Sequence, residues 1–244
     1  VTIRVLVNGA TGRMGQFTVK AIEQDPDLAL VAEVGRNDNL ATAIQTSQAQ
    51  VVVDFTNAEV VLNNVKTIIA AGAHPVIGTS GLLPDQIKQL QEQSKKSKLG
   101  GIIAPNFSLG AVLMMKCAQE VIKYFPHVEI IEMHHDGKLD SPSGTALHTA
   151  QLLAEARTAP VASPKKIRET IPGSRGASYQ DIPIHAVRLP GLVAHEQIMF
   201  GGTGETLTLR HDSIDRQSFM PGVCFACKKV MTLDQLVYGL EHIL

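Results

Sequence analysis

Residues 132–145, Glu-Met-His-His-Asp-Gly-Lys-Leu-Asp-Ser-Pro-Ser-Gly-Thr, gather two histidines, a lysine and a small-residue helix start into one short span. Imidazole and ammonium groups supply protons, and the first amides of a helix bind anions. Such a segment can hold a carboxylate and protonate what is attached to it. His134 or His135, together with Lys138, are the candidate proton donors. Gly144 and Thr145, behind Ser143 at the helix start, are the candidate carboxylate holders, with the Thr145 hydroxyl as an extra donor. His134 and His135 close a strand, so their side chains are expected on opposite faces, one entering a cleft and the other turning away. Residues 141–145 read as a helix start with a serine cap and Pro142 in the first turn. A metal site built on His134 or His135 with Asp136, Asp140 or His148 would lack a tight i, i+4 ligand pair, and no metal is expected.

A second chemical signal follows the first hydrophobic strand. Gly9, Ala10, Thr11, Gly12, Arg13, Met14 and Gly15 form G-x-x-G-x-x-G rather than the commoner G-x-G-x-x-G. Glycines let the backbone turn out of the strand and approach a pyrophosphate, while the next helix presents amides and the positive end of its dipole. Arg13 adds a charge-assisted contact. The same spacing also suits a tight strand-to-helix turn with no ligand, but its place in a strand-helix-strand series favours a dinucleotide. At the end of the second strand, Glu33 comes one step too early to bind the adenosine ribose, and Gly35-Arg36 stands where the acid is expected. Arg36 can pair with a 2′-phosphate, so NADPH is favoured over NADH. A solvated arginine at a loop tip is the plainer alternative.

The elements that must position these groups fall into two textures. Over the first hundred residues, strands at 2–7, 28–34, 50–55, 74–77 and 101–104 alternate with helices at 13–24, 58–71 and 84–97. That alternation predicts a parallel sheet covered on both faces. A long apolar helix at 109–125, a strand at 127–133 and a helix at 145–156 come next. Residues 157–181 are rich in Pro, Gly, Ser and Lys and read as a mobile surface loop. Strands at 182–189, 196–200 and 206–212 predict an α+β region with a mostly antiparallel sheet. Residues 218–244 read as two helices returning to the first domain. The expected fold class is α/β: a Rossmann-like cofactor domain (1–106 and 217–244) with an inserted α+β substrate and oligomerisation domain (107–216). Hinges are expected near Asn106-Phe107-Ser108 and around Arg216, about a cleft that closes on substrate.

The totals exclude other classes. A chain of 244 residues with 44% hydrophobic residues can hold a sizeable core. A net charge of -1 gives no footprint for nucleic acid or an anionic membrane. No apolar run reaches the roughly 20 residues of a membrane span. Three cysteines make no disulfide framework, which points to a reducing compartment: the cytoplasm, or a plastid where a transit peptide has been removed. Cys224 and Cys227 form a C-x-x-C on one helix face, and core packing is expected for both.

The chain resembles the 4-hydroxy-tetrahydrodipicolinate reductase (dihydrodipicolinate reductase) family. The resemblance is carried by the 9–15 loop, Val-Val-Asp54-Phe55-Thr56, Gly78-Thr79-Ser80, Ala104-Pro105-Asn106-Phe107-Ser108, the 132–145 span, residues 187–196 and Phe200-Gly201-Gly202. It implies hydride transfer from NAD(P)H to a dehydrated cyclic dicarboxylate in the diaminopimelate route to lysine. It implies a proton donor or acceptor at His134, a proton donor at Lys138, and substrate contacts at His135, Gly144 and Thr145. Gly9 to Met14, Gly78, Thr79, Ser80, Ala104, Pro105, Asn106 and Phe107 would line the cofactor, and Arg36 would meet the adenosine phosphate. A homotetramer joined through the inserted sheet is also implied. Asp136-Gly137 departs from the basic residues of some members. Two rivals are an aspartate-semialdehyde-type dehydrogenase, for which Cys117 on an apolar helix is a poor nucleophile, and a non-catalytic NADP sensor.

Overall fold

Val5-Leu6-Val7 and Val51-Val52-Val53 are apolar on both strand faces, and every one of these side chains is fully buried. Such β-branched runs need cover on both sides, which a parallel sheet flanked by helices provides. The computed structural model describes residues 2–158 and 168–244 and places that sheet in the first of two units, Val1–Leu109 with Arg216–Leu244. Its strands are β1 (Ile3–Asn8), β2 (Leu28–Val34), β3 (Val51–Asp54), β4 (His74–Ile77), β5 (Gly101–Ile103) and β11 (Leu236–Tyr238). They lie in the order β11-β5-β4-β3-β1-β2, and each pairing is parallel. Helices α1 (Arg13–Gln24), α2 (Leu40–Ser47), α3 (Val61–Ala70), α4 (Pro84–Ser97) and α7 (Met220–Lys229) complete the unit. Val65, Ile68 and Leu90 pack with Leu6, Val52 and Ile77 on one sheet face. The strand order reverses at β1, so the C-terminal ends of β1 and β3 frame the crevice where this architecture binds ligands.

Two elements of this unit depart from expectation. Helix α2 was not anticipated, although Asn39 caps it by accepting from the Thr42 amide at 3.0 Å. The 218–244 stretch holds one α-helix rather than two. After α7 come a 3-10 turn (Val230–Thr232), β11 and a second 3-10 turn (Leu240–His242). Leu236 to Tyr238 pair with Gly101 to Ile103, which covers the backbone groups that β5 would otherwise expose at the sheet edge. Cys224 and Cys227 face the core from α7, and burial pushes the Cys224 thiol up to about 11. These are packing thiols rather than a redox pair.

The second unit, Gly110–Asp215, follows period-two alternation instead. In β6 (His127–His134), Val128, Ile130 and Glu132 are buried while Glu129, Ile131 and Met133 are only partly covered. The sheet runs β10 (Glu205–Ser213), β9 (Ala194–Gly202), β6, β8 (Ile182–Arg188), β7 (Ala177–Tyr179). Pairings β10–β9, β9–β6 and β8–β7 are antiparallel and β6–β8 is parallel. Helices α5 (Leu109–Val121) and α6 (Gly144–Ala156) supply Met114, Ala118, Ala146, Ala150 and Leu153 to the core over one face, against Ile130, Ile184, Ile198 and Phe200. The opposite face carries a groove of about 830 Å³ lined by Ile131, Pro183, His185 and Met199. The loop expected over 157–181 falls partly outside the described residues, at 159–167, and its described end contains β7, which pairs with β8.

Candidate active site

In the first unit the glycine loop sits at the end of β1. Gly9 has φ +83, and a Cβ there would lie 2.5 Å from the Phe55 carbonyl oxygen. A Cβ on Gly15 would lie 2.1 Å from the Gly9 oxygen, so α1 starts in direct contact with the turn. The Gly9 amide donates to the Val34 carbonyl at 2.8 Å, tying the loop to β2. Gly12 caps α1 without any side-chain hydrogen bond. A backbone cradle beside a helix start with no side-chain cap fits a dinucleotide pyrophosphate.

A buried carboxylate organises the loops around that cradle. Asp54, 0% exposed at the end of β3, accepts from Asn8 Nδ2 (2.8 Å), Asn64 Nδ2 (2.9 Å), Thr56 Oγ1 (2.8 Å) and Thr79 Oγ1 (2.6 Å). The Thr56 amide donates to Thr79 Oγ1 at 2.8 Å. Thr79 is therefore spent on joining the ends of β3 and β4, while Ser80 is exposed. The Ala104 amide donates to Ile77 at 2.9 Å, and buried Phe107 packs edge-on to Phe55 with ring centroids 5.9 Å apart. Pro105 is exposed, and Asn106 Oδ1 accepts from the Ser108 amide at 2.8 Å. Ala10 is buried, whereas Thr11 and Arg13 are exposed and Met14 half-buried. Arg36 is exposed beyond β2, and Asp38 turns its carboxylate back to the Gly35 amide at 2.7 Å.

The second unit holds the candidate acid–base groups. Glu132 and His134 share a face of β6, and His134 Nδ1 lies 2.5 Å from Glu132 Oε2. Arg188, on β8, grips the same carboxylate with both ends: Nη1 to Oε2 at 2.8 Å and Nη2 to Oε1 at 2.7 Å. The Ser143 amide also donates to Glu132 Oε1, at 3.2 Å. Desolvation pushes the Glu132 carboxyl up, but hydrogen bonds from His134 and Arg188 outweigh it and bring it down to about 2. The carboxyl is an anion throughout the neutral range.

His135 lies past the end of β6 rather than within it, so strand alternation does not set its direction. It opens a turn in which the Lys138 amide donates to the His135 carbonyl at 3.1 Å. Lys138 Nζ sits 2.7 and 2.8 Å from the two Asp140 oxygens. That pairing holds the Asp140 carboxyl below the usual range. The helix cap is Ser143, not Ser141: its hydroxyl accepts from the Ala146 amide at 3.1 Å, it is 2% exposed, and Pro142 lies before the helix. Gly144 and Thr145 supply the first amides of α6, with Gly144 exposed. Among the described residues, no cluster of three His, Cys, Asp or Glu could hold a metal.

Sequence reasoning left Glu132, Arg188 and Glu196 without roles and weighed Asp140 only as a ligand of the rival metal site. A carboxylate two residues before a histidine on one strand was a readable signal. The partnership with Arg188 was not, since it depends on β6–β8 register. Glu196 lies directly opposite Glu132 on β9, facing the same buried layer. Burial pushes its carboxyl up to about 7. Its hydrogen bonds agree. Thr149 Oγ1 lies 2.6 Å from Glu196 Oε1 and 3.0 Å from the Thr145 carbonyl, yet one hydroxyl proton cannot serve both acceptors. A protonated Glu196 donating to Thr149, which donates to Thr145, satisfies the set.

Comparison with known proteins matches residues 3–107 to the dihydrodipicolinate reductase N-terminus and residues 110–244 to the dihydrodipicolinate reductase C-terminus. The chain is 52% identical over 244 residues to a 4-hydroxy-tetrahydrodipicolinate reductase of Coxiella burnetii (strain Dugway 5J108-111), covering 100% of both. It is 53% identical over 241 residues to that of Legionella pneumophila (strain Lens), covering 99% of both. Among solved structures, it resembles dipicolinate-bound dihydrodipicolinate reductase from Paenisporosarcina sp. TG-14, with TM-score 0.90, 46% identity and 100% of both chains covered.

The Glu196 arrangement generates a stability prediction. The unfolded carboxyl ionises near 4.5 and the folded one near about 7, so between those values the native state keeps a proton the unfolded state has lost. Stability therefore falls as pH rises through that window. Glu196→Gln keeps a donor toward Thr149 but does not titrate. Its Tm is expected to match wild type near pH 4 and to exceed it by a few degrees near pH 8. Thermal unfolding at both values checks this, and a pH-independent difference would contradict it.

Proposed function

The chain belongs to the dihydrodipicolinate reductase family, and from that membership we propose what its residues do in the reaction. It is an NAD(P)H-dependent oxidoreductase. It reduces the dehydrated form of 4-hydroxy-tetrahydrodipicolinate to tetrahydrodipicolinate, a step of lysine biosynthesis by the diaminopimelate pathway. The first unit is the cofactor domain, with Gly9 to Met14, Gly78 to Ser80 and Ala104 to Phe107 along the dinucleotide. The second is the substrate and oligomerisation domain. The observation that carries the assignment is the buried Glu132 carboxylate, which joins His134, the start of α6 and Arg188 in one hydrogen-bonded group.

The bound nicotinamide supplies the hydride. The protein must hold a dianionic substrate and quench the negative charge that hydride addition builds along its conjugated C=C–C=N unit. The α6 amides at Gly144 and Thr145, with the Thr145 hydroxyl and His135, hold a substrate carboxylate. Ser143 acts through the backbone by fixing where that helix begins. His134 donates the proton, a contribution of roughly 10²- to 10⁴-fold in rate. Lys138, poised on Asp140, exchanges that partner for the substrate, donates a proton and stabilises the developing charge. The dipicolinate held by the solved relative has the same pair of carboxylates on a six-membered ring.

Three finer readings accompany this one. NADPH is the preferred cofactor, through Arg36, with NADH as the alternative, and Asp38 is kept from opposing a 2′-phosphate by its bond to the Gly35 amide. The chain forms a homotetramer through the open face of the second unit's sheet, where exposed Met199 stands beside partly covered Ile131 and Met133. The cytoplasm is its compartment, consistent with cysteines kept as buried packing thiols at 224 and 227. Among the described residues no helix is long and apolar enough to cross a membrane.

Supplied with the condensation product of aspartate semialdehyde and pyruvate, the protein is expected to oxidise NADPH. Lys138→Ala should lower kcat about 10²-fold while the Kd for NADPH stays level. Equal loss of both would make Lys138 structural. Fluorescence titration should find that Arg36→Ala weakens NADPH about tenfold and leaves NADH nearly unchanged, since one charge-assisted contact is lost. Met199→Arg should shift the species seen by light scattering from tetramer to smaller forms; an unchanged tetramer would move the interface elsewhere.

A further inference from the structure

We propose that Glu132 is the positioning residue of the reaction, fixing His134 as the Nδ1–H tautomer so that all proton exchange with substrate runs through Nε2. The inference rests on the assignment of His134 as the acid and adds how the protein selects the reacting nitrogen.

The argument starts from hydrogen-bond capacity. The Glu132 side chain is 0% exposed, and both oxygens are occupied: Oε1 by Arg188 Nη2 and the Ser143 amide, Oε2 by Arg188 Nη1 and His134 Nδ1. With a bidentate guanidinium on it, the carboxylate is an acceptor only. An acceptor at 2.5 Å requires a donor, so Nδ1 carries hydrogen whether the ring is neutral or charged. In water, neutral histidine side chains carry the proton mainly on Nε2, so the protein has imposed the less common form.

The consequence is a fixed direction for the proton. In the charged ring the Nε2–H bond breaks, and that proton goes to the substrate atom bearing the electron pair left by hydride addition. The ring that remains is neutral with Nδ1–H intact. Water then returns a proton to the Nε2 lone pair, and no tautomer exchange is needed between turnovers. The same carboxylate sets the rest of the span. Through Ser143 it fixes the start of α6, and Arg188 Nη2 also donates to the Asp140 carbonyl at 2.8 Å, fixing the loop that holds Lys138.

The test begins with unmodified protein. Long-range ¹H–¹⁵N correlation spectra at alkaline pH, with the His134 signals identified by their loss in His134→Asn, are expected to show a protonated Nδ1 and a bare Nε2. An Nε2–H ring, or a rapidly exchanging mixture, overturns the proposal without any question of folding. Glu132→Gln should then lower kcat about 10²-fold or more while the Kd for NADPH stays within about twofold. Its His134 signals should lose the single-tautomer pattern. A variant with wild-type kcat also overturns the proposal, and if the variant does not fold, the unmodified tautomer decides alone. His134→Gln with full turnover would remove His134 from the chemistry while leaving the tautomer result intact, so the two readings fail separately.

Discussion

One buried ion pair, Glu132 with Arg188, ties the candidate site of the second unit together. Taking both charges out of water is expensive, and their attraction repays it only where geometry is good and the remaining lone pairs are used. Both conditions hold here. The guanidinium meets the carboxylate with two nitrogens, and His134 and the Ser143 amide take up remaining acceptor capacity. In other proteins, replacing such a pair with apolar side chains is often neutral or stabilising. Here each extra partner belongs to a different part of the proposed chemistry: His134, the start of α6 and the lysine loop.

That pair depends in turn on register. Glu132 and Arg188 come from parallel neighbours β6 and β8, with His134 opposite Arg188. A slip of one residue in β6 would turn Glu132 and His134 to the opposite sheet face and bring Met133 inward. What prevents the slip is the apolar set on the same face, Val128 and Ile130 against Ile184, Ile198 and Phe200. Core packing thus sets register, register sets the ion pair, and the ion pair sets the acid. The first unit uses a related device without a cation. Asp54 binds Asn8, Thr56, Asn64 and Thr79, so neutral donors from several loops are drawn to one buried oxygen pair.

How much of this was legible follows from the range of each interaction. The strands at Val5-Leu6-Val7 and Val51-Val52-Val53, the helices 13–24 and 84–97, and the glycine turn are written in local pattern, and each stands where the sequence puts it. Helix α2 escaped because eight residues carry few turns of periodicity, leaving the Asn39 cap as the main local cue. Strand β11 escaped because three residues acquire strand geometry only from the exposed edge of β5, more than a hundred residues away. The Ser143 cap was misplaced by one motif step because Ser141 and Ser143 both precede apolar helix residues. In the candidate site, His134 and Lys138 stand out by residue type and spacing alone. Their partners divide by distance: Glu132 and Asp140 stand two residues away in sequence, whereas Arg188 and Glu196 arrive through sheet pairing.

The second carboxyl under the site explains how a single guanidinium suffices. Glu196 stands opposite Glu132 across the β6–β9 pairing, and both face the layer covered by α6. Were both ionised, two like charges would repel each other in one buried layer. Two like charges that close in a buried layer cannot both persist, and the proton goes to the one with the poorer set of donors. Glu132 has Arg188, His134 and a backbone amide, whereas Glu196 has the Thr149 hydroxyl and a pull from His148 too weak to offset its burial. Glu196 therefore stays neutral below about pH 7, and Glu132 keeps its charge and its guanidinium. The difference between two residues identical in type is made by the neighbours that the sheet assigns to each.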